Sequence, residues 1–251
     1  MASAPPSARR CTATTFPSAT IMVERIRAAG AILIGKTNTP EFGLGSQTYN
    51  PLFGATACAY DERLSAGGSS GGAAAALALH LVPVADGSDM MGSLRNPAAF
   101  NNVIGFRPSQ GRVPFDDSAD LFFDQLGYEG PMGRSVRDTA LLLSVQAGAD
   151  RRAPLSIAEP GARFAAPLER DFEGIRLGWL GDLDGYLPMQ DGILQLCQRA
   201  LGDFRSLGCE IEEANLASPR SASGNAGAPC ATGWWPARSA ACMPIRRSVP
   251  C

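Results

Sequence analysis

Only one lysine and one histidine occur in this chain of 251 residues, Lys36 and His80; the other 21 cationic residues are arginines. A histidine-built metal centre needs two or three imidazoles, so none can form here. A serine–histidine catalytic couple would have to use His80. A lysine-rich nucleic-acid surface cannot be assembled, and a net charge of −2 argues against a protein that tracks phosphates. The longest apolar run, residues 73–79, is far shorter than the ~20 residues of a membrane helix. None of the seven cysteines (11, 58, 197, 209, 230, 242 and 251) stands in a C-x-x-C pair, which excludes a zinc ribbon and a thioredoxin motif. Free thiols in a reducing compartment are expected. The first residues lack the apolar core of a secretory signal and resemble a transit peptide only faintly. A cytoplasmic protein with neither a membrane nor a nucleic-acid partner is the expectation.

Charge divides what is present into three parts. Two arginines fall in residues 1–15 and four in 214–251, with no acid in either stretch. All 24 acids and the remaining 16 cations therefore lie between, a net of −8. Secondary-structure signals are clear in that middle and fade outside it. Residues 1–17 and the basic Cys/Trp-containing tail 214–251 are expected to be poorly ordered and foreign to the evolved domain, which occupies 18–213. Glycine (28) and proline (19) stay below the ~25–30% share of low-complexity chains.

Within 18–213, apolar periodicity alternates between helix and strand. Ser18 is placed to cap a helix through Ala29, with Ile21, Val23 and Ile26 on its apolar side. Residues 31–35 read as a short buried strand, 70–81 as an alanine-rich helix and 82–85 as extended. Residues 103–106 read as a strand, followed by a helix capped by Ser135 and running to about Gly148. A strand at 175–180, a helix at 193–207 and a strand at 209–213 complete the series. Such alternation argues an α/β sheet with helices on its faces.

Three motifs compete for the chemistry. Gly30-x-x-x-x-Gly35-Lys36-Thr37 satisfies the phosphate-loop pattern, but that motif needs a strand before it and a helix starting at the lysine. Here a helix precedes Gly30, the variable positions form the expected strand, and Pro40 interrupts the residues after the lysine. Gly67-Gly68-Ser69-Ser70-Gly71 fits the G-x-S-x-G nucleophile elbow. Its base would have to be His80, 11 residues on, along the next helix, where it cannot fold back over the serine. The third constellation needs no histidine: Lys36, Ser69 and Ser93. The two serines stand 24 residues apart, joined by one helix and one extended segment that can return the second to the first. A serine is a poor nucleophile until a base takes its proton; an unprotonated lysine can serve, and an intervening hydroxyl can relay.

Five ordered blocks carry a resemblance. They are Gly35-Lys-Thr-Asn-Thr-Pro-Glu-Phe-Gly43, Ala66-Gly-Gly-Ser-Ser-Gly-Gly-Ala-Ala-Ala-Ala76, Asp89-x-x-Gly-Ser-Leu-Arg-x-Pro-Ala98, Ile104-Gly-Phe-Arg-Pro-Ser-Gln-Gly-Arg112 and Gly130-Pro-Met-Gly-Arg-Ser-Val-Arg-Asp138. Together they resemble the amidase signature family across about residues 18–213. The resemblance implies an α/β fold with a mixed central sheet flanked by helices, here incomplete, because family members are substantially longer. It also implies a Ser–cis-Ser–Lys triad that cleaves a carboxylic amide through an acyl-enzyme. In it Ser93 is the nucleophile, Lys36 a buried, unprotonated base, and Ser69 the bridge behind a cis Gly68–Ser69 bond. Backbone N–H groups of Met90, Met91, Gly92 and Ser93 would form the oxyanion hole, with no metal or organic cofactor. Where the family has Gly-Gly-Ser this chain has Met91-Gly92-Ser93. Arg95 is expected to hold a loop or a carboxylate. The substrate is a small-molecule amide; a homodimer and an amidotransferase-like complex are both compatible. The competing reading is a catalytically inert fragment that acts only by association.

Overall fold

The computed structural model describes residues 20–116, 120–123 and 125–214. The two end segments set apart by charge lie outside these residues, save for their innermost edge. The described residues fall into two compact units, one within residues 1–168 and the other within 169–251.

In the first unit, α1 spans Ile21–Ala28. Its N-cap is Thr20, whose hydroxyl accepts the Val23 N–H, so Ser18, which is outside the described residues, is not the cap. The expected strand at 31–35 does not form. Ile32 is 87% and Ile34 74% exposed, because no strand among the described residues pairs with this run. Two short hairpins come next that periodicity did not reveal, β1 (Tyr49–Asn50) with β2 (Gly54–Ala55) and β3 (Ala57–Cys58) with β4 (Asp61–Ser65). Helix α2 (Gly71–Ala78) ends at the C-cap Leu79, and His80 adopts a positive φ of 59° beyond it.

Strand β5 (Val84–Ser88), helix α3 (Arg95–Phe100), strand β6 (Ile104–Gly105) and strand β7 (Glu129–Gly133) complete the central layer. The antiparallel sheet runs β5-β7-β6, with Val84 opposite Gly133 and Ser88 opposite Glu129. Its two faces are covered by different helices, as a pleated strand with alternating side chains requires. Val84 packs on one cluster, in which Met22 and Ile26 of α1 meet Leu142 and Leu143 of α4 (Val136–Gln146). Ala85 packs on the other, where Ala73, Ala74 and Leu77 of α2 meet Leu94, Ala98 and Met132. Ser135 caps α4 as expected, its hydroxyl accepting the Asp138 N–H at 3.1 Å.

Arg25 of α1 locks α1 to the far end of α4. Its guanidinium donates to the carbonyls of Gln146, Gly148 and Ala149 at 2.8–2.9 Å; the first is one that a helix C-terminus otherwise leaves unpaired. Asp150 stands 3.7 Å from the same guanidinium. Hydrogen bonds from the Arg152 side chain and backbone hold the Asp150 carboxyl down at about 2, with Arg25 a lesser contributor. That contribution to stability is in place above the usual carboxylate range and is lost as pH falls toward 2. Arg25→Ala should cost about 2–3 kcal/mol, the scale of hydrogen bonds to a charged group. A lowered urea midpoint with an unchanged slope checks it; Arg25→Lys, lacking the fork, should recover less than half of the loss.

The second unit keeps the expected order: β8 (Arg176–Trp179), α5 (Ile193–Ser206) and β9 (Glu210–Glu213), with β8 and β9 parallel. Mixed α/β architecture is thus as read from the sequence, but among the described residues the strands fall into four small sheets. Cys58 and Cys209 are buried and Cys197 is exposed, all three as free thiols.

Candidate active site

The candidate site sits in the first unit, where three loops meet at the N-terminus of α2. The middle one carries Ser69, which is 5% exposed, behind a cis Gly68–Ser69 peptide at the expected position. Thr48, fully buried, clamps this loop: its hydroxyl accepts the Gly71 N–H at 3.0 Å and lies 2.8 Å from the Gly67 carbonyl. Asn101 holds the loop's other end, donating to the Ala66 carbonyl while its own oxygen accepts the Ala59 N–H. Ser70 does not cap α2 through its side chain. Its hydroxyl instead lies 3.3 Å from both the N–H and the carbonyl of Ser88, fastening α2 to β5.

The second loop, residues 89–94, is wrapped round one carboxylate. Asp89 has no solvent exposure, and its N–H continues the sheet by donating to the Tyr128 carbonyl. Its side chain accepts N–H groups from Gly92 (2.8 Å) and Leu94 (3.1 Å), and the Nε and Nη2 of Arg95 at 3.0 and 2.9 Å. The Arg107 guanidinium stacks 3.8 Å from the Tyr128 ring centroid and reaches within 3.7 Å of Asp89. Burial by itself would raise the Asp89 carboxyl; the Arg95 fork and the two backbone donors outweigh it and hold the group below its usual range. Arg95 thus holds a carboxylate, as expected. Gly92 adopts φ +115°, and a Cβ there would lie 2.6 Å from the Asn96 amide, so the turn requires glycine. Its N–H is the one that donates to Asp89. The N–H groups of Met90, Met91 and Ser93 have no acceptor among the described residues. Ser93 is half-buried, and its carbonyl accepts the Ser70 N–H at 3.2 Å, joining the second loop to the first.

Lys36 arrives on the third loop. A Cβ on Gly72 would lie 2.5 Å from the backbone N and O of Asn38, so the lysine loop rests directly on the first turn of α2. Asn38 is itself tied down, donating to the Thr56 hydroxyl and accepting from Asn50. Lys36 is nevertheless exposed, against the expectation of burial. The run before it has no strand partners, so nothing folds over its side chain. Its charge is felt at Asp86 on β5: crowding desolvates that carboxyl and pushes it up even though solvent still reaches it, while its own backbone and Lys36 pull the other way. His80 is exposed at the far end of α2, away from both serines.

Thr48, Asn101 and Asp89 were not foreseen as site residues. A buried acid six residues before an arginine, in a glycine-containing turn, was the available signal for Asp89. Thr48 and Asn101 act across 19 to 42 residues of chain, and local pattern holds no trace of them.

Residues 11–231 match the Amidase family. An acylamidase of Rhodococcus erythropolis is 41% identical over 194 residues, covering 77% of this chain and 40% of that protein. The A-type subunit of the glutamyl-tRNA(Gln) amidotransferase of Thermus thermophilus is 43% identical over 197 residues, covering 78% of this chain and 41% of that one. The crystal structure of a bacterial aryl acylamidase of the amidase signature family superposes with a TM-score of 0.73 at 38% identity, covering 80% of this chain and 41% of that one. The chain therefore spans about 40% of the length of the relatives it matches. It belongs to the amidase signature family.

Proposed function

We propose that this chain carries the nucleophile, proton relay and base of an amide-cleaving enzyme. The Ser93 hydroxyl passes its proton through Ser69 to the Lys36 amine as Ser93 Oγ bonds to the amide carbonyl carbon. The oxyanion is met by the N–H groups of Met90, Met91 and Ser93, with Gly92 held back to shape the loop. Such donors are typically worth about 3–4 kcal/mol each when aimed at developing charge. As the C–N bond breaks, the proton returns through Ser69 to the leaving nitrogen. Water then reacts with the acyl-enzyme by the same route and frees the carboxylic acid.

The convergence of the three loops is the observation that carries this reading. Ser70 N–H on the Ser93 carbonyl joins two of them, and Asn38 seated on Gly72 brings the third. The aryl acylamidase neighbour makes an acylated arylamine the substrate of first choice, and the amidotransferase relatives add a role within an amide-transferring complex. The exposure of Lys36 favours a second reading, in which this length of chain is inert by itself and acts by association.

Hydrolysis of 4-nitroacetanilide by the full chain separates the two. Lys36→Ala should lower the rate by about 10²–10⁴, the worth of a positioned base. His80→Ala should leave it unchanged. A wild-type chain without turnover supports the second reading. Equal losses in both variants overturn the assignment of the base.

A further inference from the structure

Thr48 stands immediately before β1, 19 to 23 residues from the groups its hydroxyl holds. Its main chain enters the packing first. The Thr48 N–H donates to the Gly67 carbonyl at 3.1 Å, and the Thr48 carbonyl accepts the Thr56 N–H at 2.9 Å. The fit on either side of Ser69 is close. A Cβ on Gly68 would lie 2.8 Å from the Gln47 backbone, and one on Gly71 would lie 2.4 Å from the Thr48 hydroxyl. Ser69 is therefore carried between two glycines that both abut residues 47 and 48.

A threonine hydroxyl has one proton to give and lone pairs to receive. One lone pair takes the Gly71 N–H at 3.0 Å. That N–H opens the first turn of α2, where the helix itself offers no acceptor and the Ser70 side chain supplies no cap. The proton faces two carbonyls, Gly67 at 2.8 Å and Ser69 at 3.2 Å. Gly67 already receives the Thr48 N–H, whereas the Ser69 carbonyl has no other donor among the described residues. With its own carbonyl and the N–H two residues on both gripped, the Ser69 backbone is held against rotation. Backbone angles set the direction of Cα–Cβ and select the rotamers open to the side chain, so this grip also aims the Ser69 hydroxyl. Thr48 is only 2% exposed and reaches neither solvent nor a bound substrate.

We infer that Thr48 is a positioning residue whose buried hydroxyl fixes the Ser69 backbone and, through it, the direction of the Ser69 hydroxyl. The orientation follows from the Thr48 contacts; its consequence for the reaction rests on the proposed relay through Ser69. Thr48 touches no reacting atom. General support of the fold would loosen the Ser93 loop as well, because the Ser70 N–H bridges to the Ser93 carbonyl. A positioning role instead has an effect only where the Ser69 hydroxyl is present to be aimed.

Two substitutions in the full chain test this. Thr48→Val keeps the shape and deletes the hydroxyl; Thr48→Ser keeps the hydroxyl and deletes a methyl. Hα–Hβ couplings of Ser69, read by NMR on serine-labelled protein, should report one rotamer in the wild type and in Thr48→Ser. In Thr48→Val they should report an average over rotamers. Labelling of Ser93 by a fluorophosphonate should slow about 10²-fold in Thr48→Val, the scale set by an ångström of misplacement, and Thr48→Ser should restore most of the rate. In a Ser69→Ala background Thr48→Val should change the rate by less than about twofold, since the two residues act as one unit. Should Thr48→Val not fold, Thr48→Cys, with its weakly bonding thiol, carries the same comparisons. Unchanged Ser69 couplings in Thr48→Val overturn the inference. Equal slowing with and without the Ser69 hydroxyl overturns it too, because Thr48 then merely supports the fold. A wild-type chain that takes no label, while the couplings still average in Thr48→Val, supports the orienting role and removes the Ser93 assignment instead, so the two proposals fail separately.

Discussion

Ser93→Ala should abolish covalent labelling of the folded chain by a fluorophosphonate, whereas Ser69→Ala should leave slow labelling on Ser93. The difference comes from where the two hydroxyls sit. Ser93 is half-buried beside three N–H groups that have no acceptor among the described residues, an arrangement able to receive a phosphonyl oxygen. Ser69 is 5% exposed and enclosed by the Thr48 clamp, which suits a relay and disfavours direct attack. Removing the relay should slow the reaction by about 10²–10⁴, the range of acid–base assistance, since Ser93 would then lose its path to Lys36. Ser70→Ala is the structural control: it removes the tie to Ser88 and should lower stability while leaving the labelled residue the same. Mass mapping of the adduct decides the matter. An adduct on Ser69 would restore the G-x-S-x-G elbow reading with its dependence on His80. A folded wild-type chain that takes no label would sink the nucleophile assignment.

The contrast between these serines shows how far the sequence could be read. Elements whose apolar residues find partners nearby in the chain were legible: α2 and β5, α4 with its Ser135 cap, and the β8–α5–β9 unit. Residues 31–35 have strand composition, yet composition expresses itself only when neighbouring strands complete the ladder, and none among the described residues does so. The exposure of Lys36 has the same origin. β4 reads Asp-Glu-Arg-Leu-Ser, a strand formed by pairing rather than propensity, and so it escaped notice. The order of the motif blocks located the Ser69 and Ser93 loops, which the Ser70 N–H and the Ser93 carbonyl join. Their internal wiring rests on contacts across long stretches of sequence, which no local pattern encodes.

Asp89 is the sharpest instance of that wiring, and its replacement should be the most damaging single change in the first unit. Asp89→Ala leaves the Gly92 and Leu94 N–H groups without their acceptor and takes from the Arg95 guanidinium the carboxylate it grips. Breaking a buried ion pair by deleting one partner costs about 3–5 kcal/mol. Because Arg95 is half-exposed and can turn to water, a value near the lower end is expected. Asp89→Asn keeps the volume and one acceptor oxygen but not the charge, so it should recover part of the stability. Activity should not track stability here. Gly92, at φ +115°, donates its N–H to Asp89, and once that bond is lost the turn that carries the Met90, Met91 and Ser93 N–H groups should change shape. Fluorophosphonate labelling of Asp89→Asn should therefore fall well beyond its change in urea midpoint, measured at a temperature where the variant is fully folded. The pH arm has a definite sign. The folded Asp89 carboxyl is held below its unfolded value, so its stabilisation is complete above the usual carboxylate range and is lost as pH falls through the lowered folded value. Wild-type stability should thus drop on acidification through that window, and the drop should shrink in Asp89→Asn. An Asn variant with the wild-type acid profile and full labelling would show that the carboxylate merely fills space, and that the 89–94 loop keeps its shape by packing of Leu94 and Pro97 alone.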